Sequence, residues 1–557
     1  MSLVTPERPP IPRIPFATTL ISLEAQQAAA RVLASGWVTT GPEVGAFERE
    51  FAATVGAEHA VAVSSCTAAI ELALRSLRLP KDAKVLTSTM TFCGAVHAIV
   101  HAGLQPVLVD VNPETVMPDP ETVARAMRRA GGVDAMVVLH FAGQPAPVEE
   151  MAAAAGLPLA RVIEDAAHAL HTRVGDRSVG SISAATCFSF YATKNLPIGE
   201  GGMVTTLDPE IAEFVRRVRL HGMSRDAWRR YLPGSSWRYT VDVAGLKANM
   251  TDVQAAVGRA QLGHLAEWQF RRAEIADRYD LGLAGIPGLV QPARPSFGRH
   301  AWHLYVARVL PTFGIDRDEF IAALADRGVD CSVHFIPIHH QPYFLDLLGR
   351  HIAAEFPSSD ATFRQIVSLP LHPGLSDEEV DRVCESAAEV AAEARGSSRL
   401  GRFSPAEPIA STGGNVLAGG DDRRAVRCLI VGAGLPGRAI ATELKPVAEF
   451  GLQPIGFLEE NGSQRKKVAG LPVLGGISDI SRVVGEQQID VVIIALPTLS
   501  SSKIRRVAHE AAAAGAIVRY LPAWRGSGVR DPRIRDLRHH PAVTDSAGNG
   551  HAAAVAR

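Results

Sequence analysis

Short apolar runs alternate with helix-like stretches over the first two thirds of the chain. The runs occupy residues 60–63, 83–86, 106–109 and 135–139. Each is followed by small, polar or glycine-containing residues and then by apolar residues at helical spacing. This alternation predicts strands and helices in turn, which is typical of a mostly parallel sheet with helices on both faces. Such sheets place ligand sites beyond the carboxyl ends of their strands.

The pattern predicts one large α/β region over residues 1–395, with a large domain over about 15–260 and a smaller subdomain over about 261–395. Residues 396–424 are rich in Gly and Ser and lack periodicity, so they are predicted to form a flexible linker.

A second α/β unit is predicted over residues 425–523. Its expected strands are 426–431, 455–458, 491–496 and 517–521. Residues 524–557 carry no pattern, and we predict disorder for most of them.

Composition narrows the class of protein. Of the 557 residues, 47% are hydrophobic and 21% are charged, as in soluble globular proteins, and the formal net charge of −1 gives no electrostatic case for nucleic-acid binding. Residues 85–109 carry no Asp, Glu, Lys or Arg, but polar residues and a proline interrupt them, so we expect buried structure and no membrane insertion. Six cysteines without CxxC spacing favour a reduced, cytoplasmic protein without a zinc site.

One group of residues carries recognisable chemistry. Lys194 can form a Schiff base with pyridoxal phosphate (PLP), and Asp165, at the end of a predicted strand, can keep the cofactor's pyridine nitrogen protonated. The loop and helix start at 64–69 offer N–H and hydroxyl groups to its phosphate, and Ser189 could add a hydroxyl. Phe92 is a candidate for stacking on its ring.

Many ordered segments between residues 10 and 390 make the region resemble the DegT/DnrJ/StrS family of PLP-dependent sugar aminotransferases. These segments are 35–42, 47–52, 64–69, 140–146, 165–169, 189–195, 247–256, 334–337 and 368–374.

The resemblance implies a fold-type I aminotransferase that works as a homodimer with its sites at the subunit interface. It implies Lys194 as the Schiff-base lysine, Asp165 at the pyridine nitrogen and His168 on the hydroxyl side of the cofactor. Phosphate contacts would come from Thr67, Ala68 and Ser189 and, across the interface, from Lys247 and Asn249. Trp37, Arg225 and His334 are candidate substrate contacts.

The resemblance also implies a substrate, a nucleotide-diphosphate keto sugar aminated at the expense of glutamate, as in polysaccharide or glycosylated-metabolite synthesis. One alternative is a PLP-dependent sugar dehydratase on the same fold, although such relatives typically replace the lysine found at Lys194. Another is a non-catalytic regulatory protein that binds a nucleotide sugar.

The sequence departs from the family pattern at two places. Cys66 stands where glycine is common, and we expect it to be tolerated because a helix start does not need a positive φ. Residues 171–174 lack a glycine that is frequent there, which leaves the local loop shape open. The pair His339–His340 resembles metal ligands only superficially, and no metal is predicted.

The second unit carries a GxGxxG motif, formed by Gly432, Gly434 and Gly437 between a predicted strand and helix. Glu459 ends the next predicted strand, where an acid can bind a ribose hydroxyl. The unit resembles the Rossmann-like domain of CapD-type nucleotide-sugar dehydratases. A nucleotide or NAD is therefore a candidate ligand, and a docking or structural role is the alternative.

Overall fold

The structure of the protein is a computed structural model. It describes residues 12–224, 238–400, 426–434, 437–438, 440–441, 452–459, 467–495, 501–520 and 538–539. The chain divides into two units, Met1–Ala406 and Glu407–Arg557.

The strands of the first unit are β1 (His59–Val63), β2 (Lys84–Ser88), β3 (Gln105–Val109), β4 (Ala135–Leu139), β5 (Val162–Asp165), β6 (Arg173–Val174), β7 (Arg177–Ser178), β8 (Ala185–Ser189), β9 (Gly202–Thr206), β10 (Leu289–Val290), β11 (Gly298–Arg299), β12 (Tyr305–Val309) and β13 (Ile366–Leu369). Seven of them form the main sheet, in the order β1-β9-β8-β5-β4-β2-β3. Neighbours from β8 to β3 run parallel, whereas β9 is antiparallel to both β8 and β1. The predicted mostly parallel sheet is confirmed.

Side chains from alternate positions of each central strand enter different apolar clusters. In β4, Met136 and Val138 pack into one cluster and Ala135 and Val137 into another. Because successive side chains of a strand point to opposite faces, the two clusters cover the two faces of the sheet. This double burial explains why the strands appear in the sequence as continuous apolar runs.

The described helices of the first unit are α1 (Leu23–Ser35), α2 (Pro42–Val55), α3 (Cys66–Ser76), α4 (Cys93–His101), α5 (Pro120–Ala130), α6 (Val148–Ala154), α7 (Pro209–Val218), α8 (Asp252–Leu262), α9 (Leu265–Gly282), α10 (Arg317–Asp326), α11 (Pro342–Leu348), α12 (Pro357–Phe363) and α13 (Asp377–Leu400). Helix α13 continues past the predicted start of the linker at 396. Its buried apolar face, which includes Val383, Ala387 and Val390, anchors the helix, and helix propagation carries it further. The remainder of the predicted linker, 401–424, lies outside the described residues.

A smaller sheet, in the order β10-β12-β13, forms the last part of the first unit. Helices α9, α10 and α13 pack with it around an apolar core whose largest buried side chains include Tyr279, Tyr305, Phe313 and Phe320. The strands β11, β6 and β7 form a separate three-stranded sheet.

In the second unit the strands are β14 (Val426–Val431), β15 (Leu452–Glu459), β16 (Lys467–Val468), β17 (Leu471–Gly476), β18 (Val491–Ile494), β19 (Ile517–Tyr520) and β20 (Arg538–His539). Their order is β16-β17-β15-β14-β18-β19-β20, with parallel pairing from β17 to β19 and an antiparallel strand at each edge. Two described helices follow β17 and precede β19, α14 (Ile480–Glu486) and α15 (Ser501–Ala513). The predicted strands of this unit are confirmed. Within the predicted tail, only residues 538–539 are described, and they form β20.

Among the described helices, none combines the length and the apolar character needed to span a bilayer.

Candidate active site

A cavity of about 480 Å³ lies at the carboxyl edge of the main sheet. Strands β5 and β8 end at Asp165 and Ser189, and both residues line the cavity. The connection from β8 to β9 contributes Lys194, and the start of α3 contributes Thr67. Parallel strand ends thus bring together the amine, the carboxylate and the hydroxyl groups that the sequence singled out.

Lys194 lies in a turn, where its backbone N–H donates to the carbonyl of Tyr191 at 2.9 Å. Burial lowers the pKa of the Lys194 amine to about 8, although the negative charge of Asp165 acts in the opposite direction. A lysine with this pKa is neutral far more often near neutral pH than an ordinary one. It is therefore prepared to attack an aldehyde.

Asp165 is buried, and its two carboxylate oxygens have different surroundings. Oδ1 accepts the N–H of Ala167 at 3.1 Å and lies 3.8 Å from the sulfur of Cys66. No described residue donates a hydrogen bond to Oδ2, so this oxygen is free for a ligand N–H. Burial raises the pKa of Asp165, and the Ala167 N–H and the charge of Lys194 oppose that rise.

His168 is buried in the wall of the cavity, in contact with two other rings. Its Nδ1 accepts the N–H of Ala142 at 3.2 Å, so the proton of the neutral ring belongs on Nε2. The ring is stacked against Phe335 at 5.7 Å between centroids and lies 4.4 Å from the ring of His303. Burial holds the pKa of His168 well below its ordinary value. His168 is therefore a neutral N–H donor at physiological pH.

The start of α3 forms the predicted phosphate end of the cavity. Ser65 caps the helix, and its hydroxyl accepts the N–H of Ala68 at 3.2 Å. Ala68 is not among the lining residues, whereas Ser65 and Thr67 are. A Cβ at Gly94 would lie 2.6 Å from the Thr67 hydroxyl, so the absence of a side chain there keeps this hydroxyl accessible.

Aromatic side chains surround the mouth of the cavity. Phe92 lines it with 60% of its surface exposed, and its ring lies 6.0 Å from that of Phe335. His334 also lines it, stacks on Phe16 and bonds to the hydroxyl of Ser368 at 2.8 Å. Burial lowers the pKa of His334 to about 4, with a contribution from the charge of Lys194.

The sequence did not single out Phe16, His303 or Phe335, although all three line the cavity. Phe16 and His303 come from parts of the chain far from Lys194. Phe335 alone had a local signal, since it follows His334 within a segment that carries the family resemblance.

Among the remaining candidates that the structure describes, Trp37, Lys247 and Asn249 do not line the cavity. Trp37 donates from Nε1 to the carbonyl of Thr40 at 3.2 Å, and Asn249 donates to the Thr40 hydroxyl at 2.8 Å. The amine of Lys247 binds the side-chain oxygen of Asn249. Arg225 lies outside the described residues.

The two departures from the family pattern have different consequences. Cys66 is the first residue of α3 and does not have a positive φ, so the helix start needs no glycine there, as expected. His171, in contrast, has a φ of 81°, in the left-handed region that favours glycine.

The pair His339–His340 meets one further acid in the structure. The Nε2 atoms of His339 and His340 lie 2.9 and 2.7 Å from the same oxygen of Asp360. These three residues form a potential metal-ligand group, but hydrogen bonds account for the arrangement. The absence of a metal stays a prediction.

Several features of the cavity fit PLP. It offers an amine with a lowered pKa, a buried carboxylate with one unoccupied oxygen, and a neutral histidine. The hydroxyl of Thr67 and the N-terminus of α3 suit its phosphate. Lys194, Asp165, His168, Thr67 and Ser189 would hold the cofactor.

In the second unit, two of the motif glycines have a steric reason. Gly432 has a φ of 111°, and a Cβ at Gly437 would lie 1.8 Å from the carbonyl oxygen of Gly432. Glu459 ends β15, which pairs in parallel with β14, the strand that leads into the motif. The fold is Rossmann-like, and glycine is needed at these positions because two backbone segments come too close together for a side chain.

Residues 415–522 match the model of a CoA-binding domain. This match and the parallel sheet identify the second unit as a Rossmann-like domain.

Two of the relatives share more than a third of their residues with this chain over nearly their full length. The spore coat polysaccharide biosynthesis protein SpsC of Bacillus subtilis (strain 168) is 45% identical over 379 residues, which cover 68% of this chain and 97% of SpsC. Protein MJ1066 of Methanocaldococcus jannaschii is 38% identical over 369 residues, which cover 65% of this chain and 94% of that protein.

A solved structure has the same fold as the first unit. Spr1654 from Streptococcus pneumoniae, in its PLP form, superposes with a TM-score of 0.62 at 29% identity, covering 69% of this chain and 99% of that chain. Residues 20–388 match the model of the DegT/DnrJ/EryC1/StrS aminotransferase family. The first unit thus has the fold of a fold-type I, PLP-dependent aminotransferase, and the chain belongs to the DegT/DnrJ/EryC1/StrS aminotransferase family.

Proposed function

We propose that this protein transfers an amino group from glutamate to the keto carbon of a nucleotide-diphosphate sugar. The observation that carries the proposal is the presence of Lys194 and Asp165 in one cavity at the carboxyl edge of the main sheet. SpsC supports the sugar, because its name assigns it to polysaccharide biosynthesis. Glutamate and the nucleotide come from the family resemblance.

Each residue of the cavity has a defined task in this reaction. Bound PLP supplies an electron sink that labilises a proton on the carbon next to the amine. Lys194 would hold the cofactor covalently and, when free, would move that proton as a general acid–base, for which a pKa of about 8 is well placed. Asp165 would hold the pyridine nitrogen through Oδ2, and His168 would donate its Nε2–H to the cofactor's hydroxyl.

The test is a direct assay of the reaction. The protein is incubated with PLP, glutamate and a panel of keto nucleotide sugars, and the products are weighed by mass spectrometry. We expect an amino sugar from at least one member of the panel and none from the Lys194→Ala variant. Loss of water from the sugar, without amination, would instead support the dehydratase.

We propose further that the active form is a homodimer in which Lys247 and Asn249 reach the partner's cofactor. Both lie outside the lining of the cavity of their own chain. Large apolar side chains are also exposed near its mouth, with 60% exposure at Phe92 and 49% at Tyr191. An exposed apolar patch of this kind is typical of a surface that another chain covers.

Subunit mixing tests the shared site. Lys194→Ala and Asn249→Ala proteins, each inactive, are unfolded and refolded together. Random pairing puts one intact site in each mixed dimer and predicts roughly a quarter of the wild-type activity. If both residues act within one chain, the mixture stays inactive.

For the second unit we propose binding of a ligand that contains a nucleotide, such as NAD or a nucleotide sugar. Gly432, Gly434, Gly437 and Glu459 are the proposed contacts, supported by the steric need for glycine at the motif. Calorimetry with NAD, a nucleotide sugar and CoA tests this, since all three share a diphosphate. No binding by any of them would favour the docking or structural role.

We place the protein in the cytoplasm. All six cysteines are free thiols in the structure, which suits a reducing compartment. Cell fractionation tests this, and recovery from an oxidising compartment would contradict it.

A further inference from the structure

Cys66 lies in the candidate site, close to the phosphate end of the cavity, to Lys194 and to Asp165. It is the first residue of α3, directly after the capping Ser65, and its side chain lines the same cavity as Lys194 and Asp165. Glycine, which is common at this position in the family that the sequence resembles, would bring no group into the cavity. The thiol is therefore a feature of this chain that the family chemistry leaves unexplained.

The sulfur has two acceptors within reach. It lies 3.8 Å from Asp165 Oδ1 and 3.5 Å from the backbone oxygen of Cys187. Cys187 is the register partner of Asp165 across β5 and β8, so both acceptors belong to the same edge of the sheet. A thiol is a weak donor, and this one is half-buried in the cavity wall.

The thiol keeps its proton. Burial raises the pKa of Cys66 well above its ordinary value, and the negative charge of Asp165 raises it further. A neutral S–H beside a carboxylate donates to it and does not repel it. Cys66 and the N–H of Ala167 therefore both act on Oδ1, which leaves Oδ2 as the oxygen that a cofactor can use.

We infer that Cys66 is a positioning residue that donates its S–H to Oδ1 of Asp165 and so fixes which oxygen Asp165 presents to the pyridine nitrogen. The inference rests on the proposed function, since it assumes that PLP occupies the cavity. Its consequence is a more stable negative charge on Asp165. A bound pyridine nitrogen beside that charge holds its proton more firmly and draws more electron density from the rest of the cofactor.

The visible absorbance of the PLP-loaded protein, titrated with pH, reports this effect. Without the S–H donor, the pyridine nitrogen is less firmly protonated, and the nitrogen that joins Lys194 to the cofactor becomes more basic. We expect the absorbance midpoint of Cys66→Ala to rise by roughly 0.3–0.5 pH units, the range for one weak hydrogen bond. Cys66→Ser keeps a donor of similar size, so its midpoint should return to the wild-type value or fall below it.

Cys331→Ala is the matched control, because this half-buried cysteine belongs to the smaller subdomain and does not line the cavity. Its titration should match the wild type, and circular dichroism checks that all variants are folded. An unshifted midpoint in Cys66→Ala, or the same shift in Cys66→Ser, overturns the inference. If the wild-type protein acquires no visible band with PLP, the proposed function itself fails, and that result is distinct from a band that titrates normally.

Discussion

The pH dependence of PLP capture by cofactor-free protein measures the surroundings of Lys194. Only the neutral amine attacks an aldehyde, so the capture rate follows the neutral fraction of this side chain. Burial lowers the pKa of Lys194 from 10.5 to about 8. At about pH 7 the neutral fraction is then roughly 10%, against roughly 0.03% for an ordinary lysine, an advantage of about 300-fold.

Rapid mixing of cofactor-free protein with PLP, from about pH 6 to about pH 10, gives the rate at which the visible band appears. PLP also ionises in this range, so the rate with the protein is divided by the rate with a small free amine at the same pH. The rate for the small amine is first corrected for that amine's own neutral fraction, and the ratio then reports the ionisation of Lys194 alone. We expect the corrected rate to rise about tenfold per pH unit up to about pH 8 and then to level off. A rate that keeps rising through pH 10 would refute the argument that burial depresses the pKa of Lys194.

Two variants sharpen this test. Asp165 raises the pKa of Lys194 through its charge, so Asp165→Asn should move the break to lower pH. Lys81→Ala, which removes an exposed lysine far along the chain from the site, should leave the break in place. A break that stays in place in Asp165→Asn would mean that the amine does not sense the charge of Asp165.

Three further predictions concern stability. His171→Gly removes left-handed strain at a φ of 81° and should raise the free energy of unfolding by roughly 0.5–1 kcal/mol. His171→Ala removes the ring but keeps the strain, so it should not raise this free energy. Thermal unfolding measures both variants, and equal effects would mean that loss of the imidazole ring, not relief of strain, causes the change. Gly437→Ala should destabilise the second unit by roughly 1–3 kcal/mol, because its Cβ would lie 1.8 Å from a backbone oxygen. Gly485→Ala is the control, since Gly485 lies in a helix with open space around it and its substitution should not destabilise the unit. If Gly437→Ala melts at the wild-type temperature, the steric argument is wrong. Glu164→Gln should lower stability by roughly 1–3 kcal/mol, because Oε2 of the buried carboxylate accepts the Nε2–H of His140 and an amide nitrogen in its place cannot. Oε1, which accepts two hydroxyls and a backbone N–H, has a counterpart in the amide oxygen. Burial favours the neutral acid, but the His140 hydrogen bond and the hydroxyls outweigh it and lower the pKa of Glu164, so this stabilisation is present above the ordinary pKa of 4.5 and is lost as the pH falls through the lowered one; denaturant titrations at several pH values should show an acid limb that is weaker in Glu164→Gln.

The strands were the most predictable part of the fold. The run at 135–139 is apolar throughout and forms β4 with the same bounds, because a parallel strand covered on both faces needs no polar position. The antiparallel strand β9 was not predictable in this way. It pairs with β8 across a short connection and with β1 from a distant part of the chain, and local periodicity reports neither pairing.

The residues of the candidate site also fall into those that local sequence predicts and those that it does not. Asp165 was predictable because it ends a predicted strand, and Ser189 and Lys194 because they belong to one recognisable segment. Phe16 and His303 were not, since they reach the cavity only through tertiary packing. Thr67 and Ala68 were predicted together, but the N–H of Ala68 donates to the capping hydroxyl of Ser65, whereas Thr67 lines the cavity.

Strand pairing by itself brings the amine of Lys194 close to the carboxylate of Asp165. Asp165 is paired with Cys187 in parallel register, and the chain leaves that edge two residues later, at Ser189. It returns antiparallel at Gly202, which pairs with Ser189, so residues 190–201 form a connection closed at both ends beside Asp165. Lys194 lies within this short connection and cannot move far from the end of β5. A substitution that disturbs the pairing of β8 with β9 should therefore separate amine from carboxylate without touching either.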